Sequence, residues 1–140
     1  MLFRSDLAPE LNAVDTDLEH IPTWAWERTY RVNVIGTAII TREALPWLQA
    51  NSQGSIVNTV SNLALQGHVV QAAYSSSKAA VIQMTRSVAA SHGRRGVRCN
   101  AVAPGLTVTP AVLQVFPEVI RNLIAGETLR DRREIGRAHV

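Results

Sequence analysis

The sequence carries one cysteine, Cys99, and one lysine, Lys78, among fourteen basic residues. A single cysteine cannot close an internal disulfide, so a reducing, cytoplasmic setting is expected. Long apolar runs are missing as well. The most apolar stretch, Val32 to Ile40, is broken by Asn33, Gly36 and Thr37 and falls far short of the ~20 residues a membrane helix needs. The opening Met1-Leu2-Phe3-Arg4-Ser5, followed by Asp6 and Glu10, has no apolar core of signal-peptide length. Concentrated charge of one sign is absent too. Of the formal +3, the last eleven residues contribute +2 through Arg130, Arg132, Arg133 and Arg137 against Asp131 and Glu134. The near-neutral remainder offers no basic patch, so neither a nucleic-acid nor a membrane partner is expected. There is no internal repeat, no low-complexity tract and no G-x-G-x-x-G phosphate loop.

What remains is an ordinary globular composition, 46% hydrophobic and 18% charged, enough for one segment with a real core. Residues 1–5 and 135–140 look like translated adapter DNA and are read as non-native additions, with a genuine solvated tail as the alternative. Between them, Asp6 to Pro22 reads as a loop with one short helical turn. From Trp24 to about Ala50, Trp26, Tyr30, Val34, Thr37, Ile40 (or Thr41), Ala44 and Trp47 (or Leu48) recur at three- and four-residue steps, the helical period. Thr23 is the expected N-cap, and Pro46 is expected to kink or loosen the last turn. Ser55 to Val60 is apolar on consecutive positions, as in a parallel strand covered on both faces.

A second helix is predicted over Ala72 to His92, with so little polar face that burial on more than one side is expected. Gly93 to Gly96 then turns into a strand over Val97 to Ala103, and Val112 to Ala125 reads as a further helix. Helix, strand, helix, strand is the order of βαβ winding and predicts an α/β fold with a parallel sheet.

The chemistry concentrates at Tyr74-Ser75-Ser76-Ser77-Lys78. At i and i+4 the tyrosine and lysine share a helix face. A tyrosine is a poor base at neutral pH, but a fixed ammonium beside it stabilises phenolate and makes proton exchange with an alcohol or ketone oxygen feasible. Alone the spacing is weak, because most such pairs are exposed and structural. Its surroundings strengthen it. Ser61 stands thirteen residues earlier, at the carboxyl end of a predicted strand, where ligands bind in open parallel sheets. Asn33 is polar among Val32, Val34 and Ile35 and must find a partner or carry function. Pro104-Gly105 closes another strand.

Other residues fit blander roles. His68 follows Ser61 without a G-x-S-x-G elbow, which argues against a hydrolase. His20, His92 and His139 lack metal-ligand spacing, and no metal is expected. Cys99 reads as packing, and Trp24, Trp26 and Trp47 as helix packing or subunit contact.

Together, Asn33-Val34-x-Gly36, Gly54-Ser55-Ile56-Val57-Asn58-x-x-Ser61, Tyr74-x-x-x-Lys78-Ala79-Ala80 and Val97-Arg98-x-Asn100-Ala101-Val102-x-Pro104-Gly105-x-Thr107-x-Thr109 resemble the short-chain dehydrogenase/reductase family in order and spacing. The resemblance runs from about Trp24 to Pro110. It implies a partial Rossmann-like, doubly wound parallel sheet whose first strands and last strand lie outside these residues, with 6–134 the C-terminal catalytic part of one NAD(P)-binding domain.

By the same resemblance, Tyr74 is the general acid/base and Ser61 hydrogen-bonds the substrate oxygen. Lys78 lowers the tyrosine pKa and holds the nicotinamide ribose, while Asn33 positions a water in the proton relay. Pro104, Gly105, Thr107 and Thr109 line the nicotinamide, with Tyr74 and Lys78 also contacting the cofactor. NAD or NADP is implied without a choice between them, because the deciding residue lies upstream. A small alcohol or ketone substrate is implied, and a homodimer or homotetramer for the parent enzyme. Asn62 departs from the small residue many relatives carry. Without the phosphate loop, the 140 residues by themselves are expected to be inactive. A non-catalytic binding or scaffold protein on the same fold, and a sugar-nucleotide epimerase or dehydratase, are the competing readings; intact Asn33, Ser61, Tyr74 and Lys78 disfavour the first. The Ser61–Tyr74 gap and the Pro104-Gly105 context disfavour the second.

Overall fold

A computed structural model describes residues 8–50, 53–68 and 70–105. The chain divides into two compact units, 1–103 and 104–140; the elements below belong to the first. Helix α1 (Ala8–Val14) leads through a turn to α2 (Thr23–Tyr30), a π-helical turn (Arg31–Ile35) and α3 (Gly36–Ala50). Strand β1 (Gly54–Thr59), a 3₁₀ turn (Asn62–Ala64), the long helix α4 (Ala72–His92), a second 3₁₀ turn (Gly93–Arg95) and β2 (Val97–Val102) complete it.

The strands pair in parallel from Gly54 opposite Val97 to Thr59 opposite Val102, and the Val60 amide extends the ladder to the Val102 carbonyl at 2.8 Å. Parallel neighbours need a crossover, and α4 supplies it. Gly54 is required by close approach: a Cβ there would stand 2.6 Å from Leu48 Cβ and 2.9 Å from the Leu48 carbonyl oxygen. A side chain would therefore push the end of α3 off the strand. Gly96, at φ 80°, makes the left-handed turn into β2 without steric cost.

Two apolar clusters hold the unit together. Ile21, Ala25 and Ala73 pack with Leu11, Val14, Trp26 and Ala72, tying α1 and α2 to the start of α4. Val60, Val81 and Ile82 pack with Ala64, Met84, Ala101 and Ala103, seating the middle of α4 on the sheet. Between β1, β2 and α4 lies a small polar network. The Asn58 amide donates to Thr85 Oγ1 at 2.8 Å and reaches Cys99 Sγ at 3.8 Å, while the Thr85 hydroxyl donates to the Val81 carbonyl at 2.8 Å. Burial raises the Cys99 pKa.

Several expectations change in detail. The predicted helix over Trp24 to Ala50 exists but is interrupted by the π-helical turn around Asn33. Thr23 is its first helical residue rather than its cap; Pro22, extended at φ −69° and ψ 146°, precedes it without a capping side chain. The helix continues through Pro46 to Ala50. The segment before Pro22 holds the seven-residue α1 where one turn was expected. Both predicted strands appear within a residue of their expected bounds, and α4 has its expected bounds.

Burial on more than one side of α4 does not occur. Ala73, Ser77, Val81, Ile82 and Thr85 form one buried stripe, turned toward α2 and the π-helical turn at its start and toward the sheet further on, while Ala79, Gln83, Arg86 and Ala90 are exposed. The strands are likewise covered on one face only among the described residues. Val57 on β1 is 60% exposed and Val102 on β2 48%. The predicted helix over Val112 to Ala125 lies outside the described residues.

Candidate active site

Parallel strands end where helices begin, and the chemistry-bearing residues gather around that end of β1. Tyr74 sits in the first turn of α4 with Lys78 one turn on, its Nζ 5.8 Å from the centroid of the tyrosine ring. The ammonium donates to the carbonyl of Thr59, the last residue of β1, at 3.0 Å. An ammonium has three donors, so this bond anchors Lys78 and leaves donors for a ligand. Partial burial depresses its pKa, because desolvation penalises the charged form.

Ser61 follows two residues after Thr59. It is buried, extended at φ −155° and ψ 151°, and caps the 3₁₀ turn by accepting the Leu63 amide at 3.2 Å. Its hydroxyl donates only a long bond, 3.5 Å, to Asn62 Oδ1. That proton can be redirected to a stronger acceptor such as a carbonyl oxygen. Ser61 and Lys78 thus converge on the same strand end, one by chain position and the other by its bond to Thr59.

Asn33 lies within the π-helical turn, a rare distortion that recurs at functional sites. The Thr37 hydroxyl donates to its main-chain carbonyl at 2.7 Å. Its side-chain Nδ2 donates to Ser77 Oγ at 2.9 Å, and the Ser77 hydroxyl donates to the Tyr74 carbonyl at 2.7 Å. Ser77, the middle member of this chain of bonds, has zero exposure, while Asn33 and Tyr74 at its ends are half-buried. With its proton committed to Tyr74, Ser77 must accept from Asn33, which turns the asparagine's Oδ1 away from Ser77. The partner demanded by a polar side chain among apolar neighbours is therefore Ser77, which sequence reasoning did not single out.

Asp15 was also missed. Its carboxylate accepts the backbone amides of Ala73 at 3.1 Å and Tyr74 at 2.9 Å, and its carbonyl accepts the Gln71 amide at 2.9 Å. The signal available in the sequence was a negative one: no Ser, Thr, Asp or Asn stands at the start of α4 to cap it. Nothing local identifies a cap arriving from 58 residues upstream.

Pro104 is exposed and Gly105 half-buried; Thr107 and Thr109 lie outside the described residues. His68 contacts the nearby Val70 carbonyl. The turn before α2 brings Asp17, Glu19 and His20 ligand atoms within 4.8 Å of one another, all exposed, and a 2.6 Å hydrogen bond with His20 lowers the Asp17 pKa. Trp26 packs at 6.2 Å from Tyr30, whereas Trp24 and Trp47 are 50% and 77% exposed. Among the described residues no helix is long and apolar enough to cross a membrane.

The sequence profile of the short chain dehydrogenase family matches residues 12–119. The (3R)-3-hydroxyacyl-CoA dehydrogenase of Mus musculus is 38% identical over 113 residues, spanning 80% of this chain and 43% of that protein. An oxidoreductase of the family from Burkholderia thailandensis superposes with a TM-score of 0.71 at 28% identity, covering 78% of this chain and 44% of that one. ElxO, solved with NADP bound, gives a TM-score of 0.71 at 31% identity over 76% of this chain and 43% of its own. The chain thus spans less than half the length of these relatives. Its parallel α/β architecture is the corresponding part of their Rossmann-like fold, and the chain belongs to the short-chain dehydrogenase/reductase family.

Proposed function

We propose that these 140 residues are the C-terminal catalytic part of an NAD(P)-dependent oxidoreductase that interconverts a secondary alcohol and a ketone. The observation that supports this best is the Tyr74–Lys78 pair, one turn apart, tethered through Lys78 to the carboxyl end of β1 beside the buried Ser61 hydroxyl. In this reading Ser61 donates to the substrate oxygen and orients it. Tyr74 gives its phenolic proton to that oxygen in reduction and recovers it in oxidation. The Lys78 ammonium stabilises the phenolate left behind, and Asn33 positions a water through which the proton is replaced.

The residues present fit the nicotinamide end of a dinucleotide. Lys78 keeps donors for vicinal ribose hydroxyls, and by the family resemblance Pro104, Gly105, Thr107 and Thr109 would line the nicotinamide. The bound cofactor supplies the hydride. No G-x-G-x-x-G is encoded to hold the pyrophosphate, so the 140 residues alone are expected to bind neither NADH nor NADPH at micromolar level, which calorimetric titration checks. An apolar substrate suits Val112, Leu113, Val115, Phe116, Ile120 and Leu123, and the hydroxyacyl-CoA dehydrogenase relative makes acetoacetyl-CoA a reasonable first probe.

The test is Tyr74→Phe in the complete enzyme, assayed on acetoacetyl-CoA and a panel of ketones with NADH and NADPH. Turnover is expected to fall by about a hundredfold to ten-thousandfold while cofactor affinity is kept. Turnover near wild type sinks the acid/base role. Lys78→Arg is also expected to be damaging, since a guanidinium is larger and planar.

A further inference from the structure

Helix α4 begins without a cap of its own. Gln71, the residue before its first turn, has a left-handed backbone at φ 63° and ψ 39°, and its side chain makes no capping bond. The first amides of any helix lack intrahelical partners. Here two of them, those of Ala73 and Tyr74, are taken one each by the two oxygens of Asp15. The main-chain carbonyl of Asp15 also receives the Gln71 amide, so one residue binds the entry into α4 at three amides, those of Gln71, Ala73 and Tyr74. Asp15 is 6% exposed. A buried carboxylate is tolerated only when bonded, and the positive end of a helix is where its charge is most favourable.

The second of those amides belongs to Tyr74. The carboxylate therefore fixes the backbone at the atom next to the Cα from which the phenol side chain branches. Lys78 is held independently, one turn further in, by the Thr59 carbonyl. We propose that Asp15 is a positioning residue for the Tyr74–Lys78 pair: by capping α4 from a distant segment, it holds the first turn where the phenol stays in register with the ammonium. The proposal rests on the catalytic reading of Tyr74 given above. In Asp15→Ala the main-chain carbonyl still accepts the Gln71 amide, but the amides of Ala73 and Tyr74 lose their carboxylate partner, and the first turn frays.

The chain contains two tyrosines, Tyr30 and Tyr74, so labelling tyrosine with ¹³C at Cζ gives two resonances that Tyr74→Phe assigns. These resonances and backbone amide exchange are measured in Asp15→Ala, Asp15→Asn and Thr85→Val. The last removes a buried hydroxyl further along α4 and serves as a stability control. Asp15→Ala is expected to speed exchange at Ala73 and Tyr74 by roughly tenfold or more and to move the Tyr74 resonance while leaving that of Tyr30. Asp15→Asn keeps one acceptor oxygen and is expected to protect one of the two amides and restore most of the Tyr74 position. Thr85→Val is expected to lower Tm without moving the Tyr74 resonance.

Unchanged exchange and an unchanged Tyr74 resonance in Asp15→Ala overturn the proposal. So does a shift that tracks Tm equally in all three variants, which marks a merely structural role. Where Asp15→Ala does not fold, Asp15→Asn decides: both amides still protected and Tyr74 unmoved is the overturning result. None of these readouts uses turnover, so a failure here is distinguishable from a failure of the Tyr74→Phe activity test.

Discussion

Helices α3 and α4 flank the same sheet and differ in what they hide. Along α3 only Thr41 is buried, while Ile39, Ile40 and Trp47 are 46%, 58% and 77% exposed. Along α4 five residues are buried, two of them hydroxyl-bearing side chains, Ser77 and Thr85. The more apolar helix is thus the more exposed one. Burial follows position over the sheet, and apolar content left over on α3 is surface that a partner can cover. On α4 the buried hydroxyls are tolerated because each is bonded, Ser77 to Asn33 and Tyr74, Thr85 to Asn58 and Val81.

The largest effect that sharpens this contrast concerns assembly. We propose that α3 and α4 meet their copies in a homodimer or homotetramer of the complete enzyme. Replacing Ile40 by Glu places a charge on the exposed side of α3, which the isolated unit tolerates and an apolar subunit interface does not. Sedimentation velocity of the complete enzyme is expected to show dissociation with secondary structure intact. An assembly unaffected by Ile40→Glu would remove α3 from the interface.

A smaller effect separates the helices by stability. Val81, 2% exposed in the cluster with Val60 and Ile82, is expected to cost about 2 kcal/mol on truncation to Ala, through lost transfer energy and the cavity left behind. Ile39→Ala on α3 is expected to stay within about 0.5 kcal/mol in the unassembled chain, as for other surface changes. Chemical denaturation of both variants checks it, and equal losses would break the comparison.

The smallest effect is a pH dependence at Lys78. Its pKa in the fold lies below the ordinary value because of burial. Between that depressed value and the ordinary 10.5 the unfolded chain binds more protons, so raising the pH through this window favours the folded state. The penalty is fully present below the folded pKa and disappears above the unfolded one. Lys78→Met lacks it, so its stability relative to wild type is expected to be greatest near neutrality and to decline toward alkaline pH. A difference that is flat with pH, measured by denaturant melts, would show that the ammonium is not desolvated.

How much of this was legible before folding varied with the range of the interaction involved. The helical period around Trp26, Tyr30 and Val34, the consecutive apolar residues Ile56 and Val57, and the turn at Gly93 and Gly96 are local signals, and each located its element. Tyr74 and Lys78 on one helix face followed from a four-residue spacing. Not legible were the π-helical turn at Asn33, the choice of Ser77 as its partner, and the one-sided burial of α4, since each depends on segments distant in sequence.

The sequence by itself determined the periodicities, the order of elements and the residue types whose chemistry marks the family, because helix and strand propensity and i, i+4 geometry act over a few residues. Only the tertiary structure decided that Lys78 is anchored on the Thr59 carbonyl, that a buried serine joins Asn33 to Tyr74, and that α4 is capped by Asp15. Those bonds satisfy polar groups that folding removes from water, and which groups need satisfying is settled only when distant segments pack against one another.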